Sequence, residues 1–217
     1  MPTFAATSQS SGITNGYATL ADLKARLSIA SAVTTYDATL EGFIETASRR
    51  IDEDTEREFF TTSATRYYTP DDHLTLFSPD DIQSISVLQT VSVQGHGLRT
   101  YGYTWTESQD YDLEPANKAP YTRVVVNSTG IYTFPLLRRG VKITGVFGYC
   151  TAGSHPTMIG EACLIMAARM FERVKSPLGV IGGEQLTEAV RIGKTDPDYG
   201  ALIAPYIRME LGALVRW

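Results

Sequence analysis

Three histidines, two cysteines and a few acidic clusters are the residues of this chain with which chemistry could be done. His73, His96 and His155 fall in three separate expected loops. A zinc site wants Cys or His ligands at close, paired spacing, and neither the histidines nor Cys150 and Cys163 recur in that way. Asp71-Asp72-His73 has ligand-type side chains, but directly after Pro70 it reads as a turn. Asp52-Glu53-Asp54 lies on an expected helix, where consecutive residues do not share a face. Ser154 and His155 are adjacent in sequence, which is not how a nucleophile and its base are presented. No G-x-S-x-G elbow, phosphate loop or H-E-x-x-H occurs. Gly179-Val180-Ile181-Gly182-Gly183 has no lysine partner and follows no strand. Asn127-Ser128-Thr129 matches a glycosylation triplet, but a hairpin turn accounts for it. The patterns assign no catalytic residue, no metal ligand and no cofactor. They point away from an enzyme and toward shape and assembly.

The elements that would position any site come in three blocks. Thr19 caps a short helix with Leu20, Leu23 and Leu27 on one face. Asp37 is the expected cap of a second helix, whose apolar stripe is Leu40, Ile44, Ala47 and Ile51. That helix is expected to end near Arg57 or Glu58, with Glu41, Glu45, Arg49, Asp52 and Glu56 on its opposite face. From Ser63 the pattern shifts to short β-type runs: Arg66–Thr69, Leu74–Phe77, Ile82–Leu88, Tyr101–Thr106, Tyr111–Glu114, Thr122–Val126, Ile131–Phe134 and Val141–Tyr149. Asn127–Gly130 is read as a hairpin joining two of them. Pro156 then opens the strongest helix, Met158–Val174, which Ser176-Pro177 stops. Leu178–Gly183 reads as a loop and Glu188–Ile192 as a short strand. Asp198 is the expected cap of a last helix, kinked at Pro205.

The fold class expected is α+β. A small helical bundle, the N-terminal helix pair plus the C-terminal helices (residues 17–60 and 151–217), carries an inserted antiparallel β-rich domain (61–150). Residues 1–16, rich in Ser, Thr, Ala and Gly, read as a flexible arm. No apolar run approaches the ~20 residues that span a bilayer. The net charge of −5, from 19 Lys and Arg against 24 Asp and Glu, argues against a dedicated DNA binder. Two cysteines without a framework fit a reducing compartment and core packing.

Three blocks, taken in their order and spacing, resemble the head–tail connector proteins of long-tailed bacteriophages, also called adaptor or head-completion proteins. The first is Tyr17-Ala18-Thr19-Leu20-Ala21-Asp22-Leu23-Lys24-Ala25-Arg26-Leu27 followed by Leu40–Asp52. The second is Val141-Lys142-Ile143-Thr144-Gly145-Val146-Phe147-Gly148-Tyr149, then Pro156 and the Ala- and Met-rich helix. The third runs from Ser176-Pro177-Leu178-Gly179-Val180 through Val190-Arg191-Ile192 to Asp196-Pro197-Asp198. The chain departs from the smaller members in its β-rich insert, 63–150.

The resemblance implies a structural virion protein at the head–tail interface, made in the host cytoplasm. It implies a homo-oligomeric ring, usually twelve-fold, that joins the portal protein to a downstream neck or tail protein. DNA would pass through its channel without sequence-specific binding, and no membrane is involved. Family members grip the portal with their C-terminal segment. Tyr206, Arg208, Leu211, Leu214, Arg216 and Trp217 are residue types that dominate interfaces; they serve either as such anchors or as core of their own subunit. Twelve copies at −5 each would carry about −60, an acidic surrounding for DNA. Glu45, Asp52 and Glu56 are the candidates for a face toward the lumen or a neighbouring subunit. Two other readings remain open: another neck ring, such as a stopper or tail-completion protein, and a carbohydrate-binding module with Tyr67, Tyr68, Tyr101, Tyr103, Trp105 and Tyr111 as its platform.

Overall fold

The computed structural model describes residues 3–5, 13–95, 98–128, 130–151, 154–175 and 196–208. In chain order they form β1 (Thr3–Ala5), α1 (Leu20–Arg26), α2 (Asp37–Thr55), β2 (Thr62–Tyr68), β3 (Thr75–Gly95), β4 (Leu98–Trp105), β5 (Tyr111–Glu114), β6 (Tyr121–Val126), β7 (Val141–Phe147), β8 (Ser154–Pro156), α3 (Thr157–Lys175) and α4 (Pro197–Ile203), which runs into a 3-10 turn, Ala204–Tyr206. The fold is α+β. It divides into two compact units, Met1–Arg57 with Ser154–Trp217, and Glu58–Gly153.

The first unit is helical. Thr19 caps α1 as its sequence requires: its Oγ accepts from the Asp22 amide at 3.1 Å. In α2, Leu40, Ile44, Ala47 and Ile51 are all fully buried. Each large side chain among them contributes about 1.5–3 kcal/mol by leaving water. Asp37 is not the cap of α2. It is the first helical residue, after Tyr36, and its carboxylate pairs with Lys24 at 2.5 Å. The charge attraction offered by a buried lysine outweighs the local capping bond. The helix stops at Thr55 because Glu56 turns left-handed, φ 53°. In α3, Ile159, Ala162, Cys163, Leu164, Ala167 and Phe171 are buried, as the 3.6-residue period predicts. Pro156 does not open that helix; it ends β8, and α3 starts at Thr157. Asp196, not Asp198, caps α4, accepting from the Asp198 amide at 2.9 Å with Pro197 in the first turn.

The expected arm is not wholly free. Thr3–Ala5 pairs antiparallel with β8, Phe4 opposite His155, and Ile13 is buried. The expected loop Leu178–Gly183 and strand Glu188–Ile192 lie outside the described residues.

The second unit is one antiparallel, half-barrel sheet. Its strand order is β2-β7-β3-β6-β5, with β4 also paired to β3. In β7, Val141, Ile143, Gly145 and Phe147 face inward in strict alternation. Leu74–Phe77 and Ile82–Leu88, expected as separate strands, are halves of the single long β3. The Ser78–Asp81 breaker is absorbed as an irregularity: β3 pairs with β6 before it and with β7 after it. Ile131–Phe134 is not a strand, and Asn127–Gly130 does not join two strands. The segment instead lays Phe134, fully buried, against Trp105, rings parallel at 4.8 Å. Around that stack the core gathers Leu76, Ile82, Leu88, Tyr111, Val124, Ile143 and Phe147.

Candidate functional site

Among the described residues, the histidines and thiols make contacts within the fold. His73 Nδ1 lies 2.9 Å from the Phe134 carbonyl. His155 is not in a loop but in β8, buried, edge-on to Tyr17 at 5.6 Å. Burial pulls its imidazole below the ordinary histidine range. His96 lies outside the described residues. The Cys163 thiol sits 3.5 Å from Ser48 Oγ, and burial raises its pKa to about 11. Burial also lifts Cys150 to about 12, so neither thiol is primed as a nucleophile. Among the described residues no group of three or more His, Cys, Asp or Glu side chains is placed to hold a metal ion. No helix among them is long and apolar enough to cross a membrane.

The acidic face of α2 is divided in use. Residues 45, 48, 49 and 52 line one side of the helix, and the chain segment before α1 lies along that row. The Thr14 amide donates to Glu45 Oε2 at 3.1 Å. The Tyr17 amide donates to Ser48 Oγ at 3.0 Å, and the Tyr17 hydroxyl donates to Asp52 Oδ1. Arg49 reaches Asp52 at 3.2 Å and the Asn15 carbonyl at 3.0 Å. Asp52 keeps only 16% of its side chain exposed. Glu45 and Asp52 thus hold the segment before α1, Glu45 with 32% of its side chain still exposed, and Glu56 is exposed at the helix end. No sequence signal marked Asn15 or Tyr17 as partners of this face, because the contact spans more than thirty residues.

Of the candidate C-terminal anchors, Tyr206 and Arg208 are described; Leu211, Leu214, Arg216 and Trp217 lie outside the described residues. The segment after α4 is fixed to the end of α2. Arg57 Nε donates to the Tyr206 carbonyl at 2.8 Å, and the Arg208 amide donates to the Thr55 carbonyl at 3.0 Å. Nearby Ile207 is exposed.

The helical unit also holds a groove of about 280 Å³ lined by Arg50, Asp54, Met166, Arg169, Arg173 and Tyr199, among others. Its polar groups largely satisfy one another. Arg50 pairs with Asp54 at 2.8 Å, Tyr199 donates to Asp54 at 2.8 Å, and Arg169 faces Asp196 at 3.6 Å. The charge of Asp54, and then its hydrogen bond, raise the Arg50 pKa further. This is a brace between α2, α3 and α4 rather than a set of poised catalytic groups.

In the β unit the six aromatics of the proposed sugar platform do not share a surface. Tyr68, Trp105 and Tyr111 are buried. Tyr67 and Tyr101 lie 5.6 Å apart outside the core. Arg139 covers Tyr67 at 5.0 Å, and Lys142 lies 5.9 Å from the Tyr101 ring. The chain's own cations lie against these two rings, while Tyr67 and Tyr103 remain partly exposed.

No protein-family model matches this chain, and no curated protein does. Solved structures do match it in fold. The neck of an empty gene transfer agent particle, computed with C6 symmetry, is matched at 15% identity over 97% of both chains, with a TM-score of 0.59. The neck of the native particle, computed with C12 symmetry, gives 16% identity, 97% of both chains and 0.54. The virion of the native gene transfer agent particle gives 16%, 97% of both chains and 0.51. The likeness is one of fold, and it spans both units from end to end.

Proposed function

We propose that this chain is a structural neck protein of a phage-like particle, forming a ring that joins the portal to the next neck or tail protein and extends the DNA channel. One observation carries the reading: the helical unit and the β unit occur together, over 97% of the chain, in the fold of a chain from particle necks computed with C6 and C12 symmetry. A helical bundle interrupted by a β-rich insert is a particular combination, and matching all of it is more informative than matching either half. The placement of reactive residues supports the same reading, since the histidines, thiols and carboxylates described above brace the fold.

A ring of identical subunits needs two different complementary faces on each copy. In this reading Glu56 and the segment Tyr206–Arg208 lie on surfaces met by neighbours or by the portal, and Leu211, Leu214, Arg216 and Trp217 contribute anchors from the sequence that follows. The test is electron microscopy of the protein mixed with its portal. A coaxial ring stacked on the portal is the expected result. Binding to a tail component but not to the portal would reassign it to a stopper or tail-completion role. Particles made without the chain are expected to lose DNA or stay tailless; normal infectious particles would overturn the proposal.

A further inference from the structure

The β unit carries opposite charges without ion-pair partners among the described residues at two separate places. At the first, beside β2 and β7, the Arg139 amide is held by Thr69 Oγ at 3.0 Å, just past β2, and its guanidinium lies over Tyr67. Tyr67 stands opposite Lys142 of β7 in register. Lys142 also donates to Gln89 at 3.1 Å, and the Tyr101 hydroxyl donates to the Arg139 carbonyl at 2.7 Å. Arg138 is exposed beside them. Two other arginines of this unit have carboxylates, Arg66 with Asp80 at 2.6 Å and Arg123 with Glu114 at 3.0 Å, whereas the exposed Arg99 stands apart on β4. Among the described residues, Arg138, Arg139 and Lys142 have none.

The second place is β5, the far end of the strand order β2-β7-β3-β6-β5. Asp112 is exposed on it, and Glu107 is exposed just before it, bridged to Tyr111. Neither carboxylate has a cation among the described residues. Strands β2, β4 and β5 each pair on one side only, so the acidic place on β5 also presents unpaired backbone, whereas Lys142 is on β7, paired on both sides.

We propose that the cationic patch of one copy, Arg138, Arg139 and Lys142 beside their tyrosines, docks against the acidic β5 edge of the next copy, with Glu107 and Asp112 as its counter-charges. The partner is a second copy of this chain, and the inference rests on the ring reading above. Complementary charge at two different places on one subunit makes a head-to-tail contact. Such a contact repeats around a closed ring and resists the face-to-face pairing of like charges. The cations are pre-organised: the tyrosine rings fix Arg139 and Lys142 before contact, which lowers the ordering cost of binding. Nucleic acid is the competing occupant, because exposed cations also suit phosphates, and the experiment separates the two.

The experiment uses particles carrying the full chain as D112C/R139C, treated with a short bismaleimide, with photocrosslinking to packaged DNA as a parallel arm. The unmodified chain and each single variant are the controls, which also set the background from Cys150 and Cys163. A ladder of cross-linked multimers in the double variant alone is expected, together with loss of ring incorporation in R138E/R139E/K142E and its recovery when E107K/D112K is added. A ring visible by electron microscopy but without the ladder overturns this interface and leaves the ring reading standing. A photoreactive group at position 139 cross-linking to DNA overturns it in favour of nucleic acid. A chain absent from the neck overturns both.

Discussion

The hydroxyl of Tyr17 donates to Oδ1 of Asp52, tying the segment before α1 to the acidic side of α2. Asp52 is thereby held twice, by this phenol and by Arg49 at 3.2 Å, while the guanidinium of Arg49 also lies 5.7 Å from the Tyr17 ring. A hydrogen bond to a charged acceptor contributes about 1.5–3 kcal/mol. Tyr17→Phe keeps the buried ring and removes only that bond, so a loss of about that size is expected in urea unfolding. Tyr17→Ala should cost several kcal/mol more, because it also empties a fully buried aromatic site. Equal effects of the two substitutions would show that the hydroxyl contributes nothing.

Phe134 plugs the β unit from a segment without regular structure. It is fully buried and stacks on Trp105, whose Nε1–H donates to Thr90 Oγ at 3.1 Å. Phe134→Ala should cost about 3–5 kcal/mol and shift Trp105 fluorescence as water reaches the indole. Phe134→Leu, which retains most of the volume, should cost clearly less. Urea unfolding followed by tryptophan emission reads both.

These two contacts mark how far the sequence alone could be read. Helix positions and buried faces were legible because they depend on local period: Leu40, Ile44, Ala47 and Ile51 are spaced for one face and all four are buried. The alternation in β7 was legible for the same reason. Tertiary context decided the rest. Asp37 gave up its capping role to pair with a buried lysine distant in sequence. The Ser78–Asp81 breaker did not break β3, because Asp80 is bound by Tyr68 and Arg66 and the Asp81 carbonyl accepts from Gly148. Ile131–Phe134 has strand composition, but Phe134 takes an aromatic partner instead of a ladder. At the candidate site, the row 45, 48, 49, 52 was visible as a helical face. Its occupant was not, since Thr14 and Tyr17 approach through contacts with no periodic signature.

His155 gives stability a pH dependence whose sign is fixed by its burial. Its folded-state pKa lies below the ordinary value of 6.5, chiefly through desolvation and against a weaker opposing bond to the Pro156 carbonyl. Above pH 6.5 both folded and unfolded chains hold the neutral ring, and this residue carries no penalty. As pH falls below 6.5 the unfolded chain gains a proton that the folded chain refuses, so stability declines and levels off below the folded pKa. His155→Gln removes this component. The difference in melting temperature between the variant and the parent should shift in the variant's favour from pH 7 to pH 5. A difference that stays constant with pH would contradict the burial argument.

Glu56 separates folding from assembly. It occupies a left-handed conformation, φ 53°, at the C-terminal cap of α2, a geometry that costs a side chain with a Cβ about 1 kcal/mol and suits glycine. An acidic group at a helix C-terminus also opposes the helix dipole. Glu56→Gly is therefore expected to stabilise the isolated protein by about 0.5–1 kcal/mol, and Glu56→Gln to be close to neutral. Thermal melts check both. The proposed role of Glu56 in the assembled neck predicts a different outcome in particles: both substitutions remove the charge, so both should lower ring incorporation although neither weakens the fold. If particles tolerate the two variants fully, the carboxylate at the end of α2 has no part in contacts with a neighbour or the channel, and the acidic face of this helix serves the subunit alone.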